Sequence, residues 1–554
     1  ECNVLRNRND EKITKLRIQL KKFCKQNHLP TLINDEKEYY GLRNNITGGI
    51  SNVLHRVNIR GETPINKLRY DAINNKVISY DTTNIISHVV GIDFNSLYPS
   101  SFSSTKHEFN KYHDGIMYMP GSFIRRYEVY DEDGNKNYKT YNRCKRIILD
   151  NERFKPNPKY LFKAEVKLLC PKSKVNYFIN FPPVFRNIEF KNDENTIGSY
   201  MYNYMKDNKL KSIDKDEKKL TMLLDTCGDY QTFSNYYLWF LLDHGLVIED
   251  IKSVSLYEAH NGFNSFVEEF MKKRQDIIAG KVKGNEKFYK ISMNGSYGYD
   301  GMNTEKFAKI KICDKNKLYT TILSDTYIDA IELNDDNYLV QQNPKHFKCN
   351  TCLQEAFWTL DNAKYWYLVF YYDFLDKCLD MKRIHANTVE TDSVYFSVSG
   401  SMDCPINQAL EYVIKDKEFY DNNVYKFMPN PQINNTYDTK KILGCCVEKY
   451  GESQIALAPK CYTIFNGDVV KAMKLKGVSL KKNNITKDDY KDIITKGCVK
   501  TGKNINLQVY QGHMSKITVN KNALTGLHNK MIVLENQSCV PFIRGLTADN
   551  VIVE

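Results

Sequence analysis

The chain has 554 residues, 42% hydrophobic and 26% charged, and at about 150 residues per domain it holds three to four structural units. Its 79 Lys+Arg outweigh 66 Asp+Glu by 13, a balance that favours a polyanionic partner such as nucleic acid. The densest apolar run, Tyr365 to Tyr372, falls far short of the roughly 20 residues that span a bilayer, and nothing at the N-terminus reads as a signal peptide. The odd 15 cysteines lack a regular spacing and read as reduced thiols of an intracellular protein with no membrane partner. The chain opens on Glu1, which reads as a fragment, a processed product or an incomplete gene product.

Ile13, Leu16, Leu20 and Phe23 fall on one stripe while Lys15, Arg17, Lys21 and Lys22 point away, which predicts an amphipathic helix docked on a core. Asn44 to Gly49 closes with paired glycines, a turn or a loop of close approach. Val77 to Val90 is rich in β-branched residues and reads as a strand delivering Asp93 at its tip. Residues 106–160 are polar and turn-rich, with a hairpin tip at Asp131 to Lys136, and Tyr160 to Leu169 resumes a strand pattern. Residues 198–297 read as mainly helical, broken near Gly228 and around Gly280 to Gly284. Residues 311–350 are mixed. Tyr365 to Leu379 fits a buried helix, Ile384 to Val398 a hairpin turning at Glu390 to Ser393, and the last hundred residues an α+β unit with basic loops.

Three segments carry chemistry. In Asp93-Phe94-Asn95-Ser96-Leu97-Tyr98-Pro99-Ser100, Pro99 suits the first turn of a helix that follows the carboxylate, and the Tyr98 ring can floor the same pocket. Read alone, Asp93 would be a helix N-cap. In Lys290 to Gly298, Lys290, Asn294 and Tyr297 are spaced i, i+4, i+7 on one helical face, where a cation, an amide and a ring can meet phosphate, sugar and base. Upstream, Phe266, Phe270 and Arg274 follow an i, i+4, i+8 stripe, so a guanidinium interrupts an apolar face and needs an anionic partner. Read alone, either helix is a solvated basic face. In Val389 to Phe396, Glu390 and Asp392 flank a tight turn, an arrangement that alone is an ordinary acidic β-turn. Together the segments offer two distant carboxylates, Asp93 and Asp392, for hard divalent cations and a basic helix pair for a triphosphate, the requirements of two-metal phosphoryl transfer.

Here the chain resembles the B-family DNA polymerases, and within them the protein-primed branch of bacteriophages, linear plasmids, adenoviruses and large transposons. The Asp93 to Ser100 run is similar to the family's first polymerase motif. Lys290, Asn294, Tyr297 and Gly298 are similar to its second, and Glu390-Thr391-Asp392-Ser393 to its third, Asp-Thr-Asp-Ser. Lys460-Cys461-Tyr462 is similar to its Lys-x-Tyr element, and Gly48-Gly49 to the Tyr-x-Gly-Gly connector. The resemblance covers residues 45–480 in family order.

It implies an α+β right-hand fold with palm, fingers and thumb. Residues 1–60 would be an N-terminal helix and connector, 61–105 palm, 106–165 an insertion, 166–197 palm strands, 198–310 fingers, 311–350 a second insertion, 351–450 palm and 451–554 thumb. It implies a DNA polymerase using two Mg²⁺ ions, replaceable by Mn²⁺, and dNTP substrates on a DNA primer-template, with a terminal protein as a further partner and priming of a linear genome by protein. Asp93 and Asp392 would be the catalytic metal ligands, with Glu390 reaching a metal through water. Tyr98 would reject a ribose 2′-hydroxyl, Lys290 and Arg274 would bind the triphosphate, Asn294 and Tyr297 would line the base-pair pocket, and Lys460 and Tyr462 would hold the primer terminus.

Two residues depart from the family pattern: Glu390 stands where the third motif has Asp, and Gly295 stands where the second has Ser, at a cost of about 1 kcal/mol of helix propensity. No proofreading carboxylate set precedes residue 45, so no editing activity is expected. A truncated or decayed polymerase-like protein that binds DNA without chemistry is the competing reading. Reverse transcriptases and RNA replicases place two Asp residues side by side where Thr391 intervenes here. Cys349 and Cys352 with His346 have the spacing of half a zinc site, but no second pair stands nearby and they read as structural thiols. Cys445-Cys446 reads as buried and unbridged. No nucleophile elbow and no P-loop occur.

Overall fold

The computed structural model describes residues 29–303, 309–343, 349–430, 444–510 and 513–554, with residues 18, 19, 22 and 26. The N-terminal stripe of Ile13, Leu16, Leu20 and Phe23 and the metal candidate His346 lie outside the described residues.

The fold is mixed α+β. At its centre five antiparallel strands stand in the order Ser51–Val53, Ile384–Glu390, Ser393–Val398, His88–Asn95 and Gly444–Gly451. Side chains alternate across such a sheet. Val90, Ile92 and Phe94 turn to the core, none more than 2% exposed, and Phe94 packs on Tyr367 and Phe370. Those rings belong to the buried helix Leu353–Leu368 and its π-helical continuation Val369–Leu375. The helix thus starts well before the expected Tyr365, because Gln354, Glu355, Asp361 and Lys364 are buried within it and mask its apolar character. Lys364 pairs with Asp361 at 3.0 Å and also donates to Thr47 Oγ1, tying the helix to the glycine loop.

Two expectations are corrected. The strand of Val77 to Val90 is two strands in different sheets, Lys76–Ile85 and His88–Asn95, because Ile86 and Ser87 break the run and Ser87 Oγ donates to Val398 O. Asp93 therefore lies inside its strand instead of at the tip. The region 198–297 contains the strands Asp216–Leu223, Gln231–Ser234 and Val247–His260 as well as helices. The last is paired on both edges, to Leu161–Leu169 and Met119–Glu128, so ladder hydrogen bonds outweigh its apolar spacing.

The helix Glu36–Arg43 docks on that sheet through a carboxylate. Glu38 is fully buried, accepts from Ser255 Oγ and the Tyr257 hydroxyl, and faces Lys163 at 3.1 Å and Arg126 at 3.5 Å. At its far end Arg43 donates to Gly301 O and Met302 O, fastening the end of the helix Glu286–Asp300.

The C-terminal part carries the sheet Val57–Asn58, Ser453–Ala458, Cys461–Asn466 and Val469–Lys474, the helix Lys487–Lys496 and a ribbon, Lys500–Tyr510 with His513–Leu524. Residues 309–342 form a small three-stranded sheet with the helix Lys315–Ile322. Cys445 and Cys446 are buried and not disulfide-bonded, and among the described residues no helix is long and apolar enough to cross a membrane.

Candidate active site

On the face of the central sheet away from the core, register brings four positions together. Asp93 lies opposite Ser393 on one side and Cys446 on the other, and the Phe94 N–H donates to Asp392 O at 2.7 Å. The two predicted carboxylates, 299 residues apart in sequence (392 − 93), thus meet where the strand bearing Asp93 passes the hairpin turn that holds Asp392, next to Ser393. Asp93 does not cap the following helix, Leu97–Phe102, whose N-terminal neighbour is Ser96.

Backbone strain gathers here. Ser96 (φ 58°), Thr391 (φ 56°) and Lys460 (φ 59°) are all left-handed, a conformation especially costly for β-branched Thr391. Thr391 N–H donates to Ile50 O. Gly49 makes that approach possible, since a Cβ there would lie 2.8 Å from both Thr391 Cγ2 and the Tyr98 hydroxyl. The neighbouring Gly48 meets nothing within 4 Å, so the close approach read from the paired glycines is made by Gly49. Lys460 is exposed, and its N–H donates to Glu390 Oε1.

Electrostatics mark the carboxylates as under-compensated. Burial, then the charges of Asp392 and Glu448, push the Asp93 carboxyl up to about 7 against the pull of Lys290 and Lys449. Burial also raises Asp392, with Glu448 adding to the rise, and raises Glu390 despite the Lys460 amide. Crowded carboxylates with raised proton affinity suit a hard divalent cation. Asp93 and Asp392 fit Mg²⁺ or Mn²⁺ by donor chemistry, although among the described residues no three His, Cys, Asp or Glu side chains are grouped to hold a metal. Glu390 has one oxygen committed to Lys460.

Sequence reasoning missed Glu448. It sits at a bulge in Gly444–Gly451, between Val447 opposite Ile92 and Lys449 opposite Gly91. Nothing in the spacing of Val447-Glu448-Lys449-Tyr450 flags it, because only strand pairing brings it beside Asp93.

Across from the carboxylates lie two helices, Asn264–Ile278 and Glu286–Asp300. Lys290 is exposed and its charge reaches both Asp93 and Asp392. Asn294 and Tyr297 are half-buried on the same helix, and the Tyr297 ring stands 4.6 Å from that of Tyr98. Burial raises the Tyr98 phenol well above its ordinary range, so it stays a neutral hydroxyl. Arg274 has its anionic partner within the pair itself: it is buried and its Nε donates to Glu286 Oε2 at 2.8 Å. The inward stripe of that helix is Val267, Met271 and Arg274, while Phe266 and Phe270 stack on each other at its flank. Tyr462 is 2% exposed, with its hydroxyl 3.1 Å from that of Tyr395.

Neither a protein-family profile nor a curated protein matches the chain. Among solved structures it is similar to phi29 DNA polymerase in an orthorhombic crystal form, at 14% identity and a TM-score of 0.46. It is also similar to phi29 DNA polymerase complexed with single-stranded DNA, at 13% and 0.44. Each match covers 90% of this chain, and the chain spans 64% of the length of those structures. At this identity and score the likeness speaks to neither substrate nor reaction, which rest on the site's own geometry.

Proposed function

We propose that the chain is a template-directed DNA polymerase that adds deoxynucleotides to a 3′-hydroxyl. The observation that carries this reading is the meeting of Asp93, on its strand, with Asp392, in the neighbouring hairpin turn, beneath a helix presenting Lys290, Asn294 and Tyr297. Asp93 and Asp392 hold the divalent cations. Mg²⁺ or Mn²⁺ bound there would activate a hydroxyl nucleophile and offset the negative charge of the triphosphate. Lys290 meets the triphosphate from the helix side. Tyr297 and Asn294 border the nascent base pair, and Tyr98, wedged between Tyr297 and Gly49, leaves no room for a 2′-hydroxyl. Arg274 orders the helix pair through Glu286, and Tyr462 supports Tyr395 from behind while exposed Lys460 takes the primer strand. The motif order and the two insertions support the finer reading, replication of a linear genome primed by a terminal protein.

Primer extension with Mg²⁺ and dNTPs tests this. Extension by the parent that disappears in Asp93→Asn and Asp392→Asn while DNA binding persists is the expected result. The commitment of Glu390 to Lys460 favours a second reading, a DNA-binding protein without chemistry. No extension by the parent, together with salt-sensitive DNA binding, selects it.

A further inference from the structure

One cation in the site has no role so far. In a regular strand, consecutive side chains point to opposite faces. The bulge at Glu448 breaks that rule, and Glu448 and Lys449 form a salt bridge of 3.0 Å between neighbours in sequence. Lys449 lies opposite Gly91, and Tyr395 lies opposite Gly91 from the other side. A Cβ on Gly91 would come 2.5 Å from the Tyr395 ring, so the missing side chain is what lets that ring lie across the strand. Lys449 Nζ donates to the Tyr395 hydroxyl at 2.9 Å, and that hydroxyl lies 3.1 Å from the Tyr462 hydroxyl. The ammonium is therefore fixed at two points, a carboxylate and a phenol, on the same face as Asp93.

We propose that Lys449 is a resident counter-ion that holds Glu448 away from Asp93 and Asp392, so that divalent cation loading requires the Lys449–Glu448 pair to open. Glu448 then turns to the incoming ion, while Lys449 keeps its bond to Tyr395. Glu448 lies near enough for its charge to raise both Asp93 and Asp392. This latch rests on the reading of Asp93 and Asp392 as metal ligands. Lys449 is a positioning residue, acting through Glu448.

The test is Mn²⁺ binding to the free protein without DNA or nucleotide, followed by the electron paramagnetic resonance of unbound Mn²⁺. Lys449→Met is expected to bind Mn²⁺ about tenfold more tightly than the parent, by removal of a competing cation. Lys449→Arg, which keeps the charge, is expected to bind like the parent. Adding Glu448→Gln to Lys449→Met is expected to abolish the gain. Unchanged or weaker binding by Lys449→Met, in a protein whose Mn²⁺ binding is lost in Asp93→Asn, overturns the latch alone. Parent binding indifferent to Asp93→Asn and Asp392→Asn overturns the metal site and the latch together.

Discussion

The two halves of the site are built differently. On the sheet side the backbone is closely approached: Gly49 and Gly91 leave no room for a methyl group, and Ser96, Thr391 and Lys460 hold left-handed backbone. On the helix side Gly295 and Gly298 meet nothing within 4 Å, and Lys290 is exposed. In the proposed polymerase, carboxylates that hold a metal must not move, whereas groups that receive a changing base pair need room. The contrast places fixed geometry on the sheet and adaptable contacts on the helices.

Removing a sheet carboxylate should have the largest effect. Asp93→Asn or Asp392→Asn is expected to lower the primer-extension rate by about a thousandfold, the loss of roughly 4 kcal/mol of transition-state stabilisation, in single-turnover assays. Next, Gly91→Ala drives a methyl into the Tyr395 ring and should cost about 2–3 kcal/mol of stability, read as a lower urea midpoint. One fixed point on the helix side is the Arg274–Glu286 pair. Glu286→Ala should cost about 2 kcal/mol by stranding a buried guanidinium, with the same readout.

Proton linkage probes the sheet side without a mutation. The Asp93 carboxyl titrates near 7 in the folded, metal-free protein, above the roughly 3.9 of an unfolded Asp. Between about pH 4 and 7 the folded state therefore holds a proton that the unfolded chain has released, so stability in EDTA should fall as pH rises through that window. Asp93→Asn should flatten the fall. The smallest effect belongs to the open side: Gly295→Ala should stabilise by about 0.5–1 kcal/mol, since helix propensity improves and no neighbour obstructs the methyl. A loss of stability there would erase the contrast.

What could be read from sequence follows the same division. Lys290, Asn294 and Tyr297 were legible because helical periodicity sets neighbours within a few residues, and the hairpin at Glu390 to Ser393 because its turn is local. Glu448 was not legible, since its place depends on a bulge and on pairing with a strand some 350 residues earlier. For a related reason spacing revealed that Arg274 needs an anion, but not that Glu286, across one turn-rich loop, pairs with it. The strands within 198–297 were hidden because apolar spacing alone does not report pairing on both edges.

The central sheet also dictates when the site can exist. Its neighbouring strands come from residues 51–53, 88–95, 384–398 and 444–451, so apart from the local hairpin 384–398 the nascent chain must wait for distant partners before these ladders close. The strand bearing Asp93 leaves the ribosome nearly three hundred residues ahead of the hairpin bearing Asp392, with both of its edges unsatisfied. Until Gly451 emerges, that strand is an open template for pairing with other chains. The arrangement that isolates two carboxylates in the finished protein makes a late and vulnerable step in its synthesis, one at which a chaperone or a slow codon would decide the yield of active molecules.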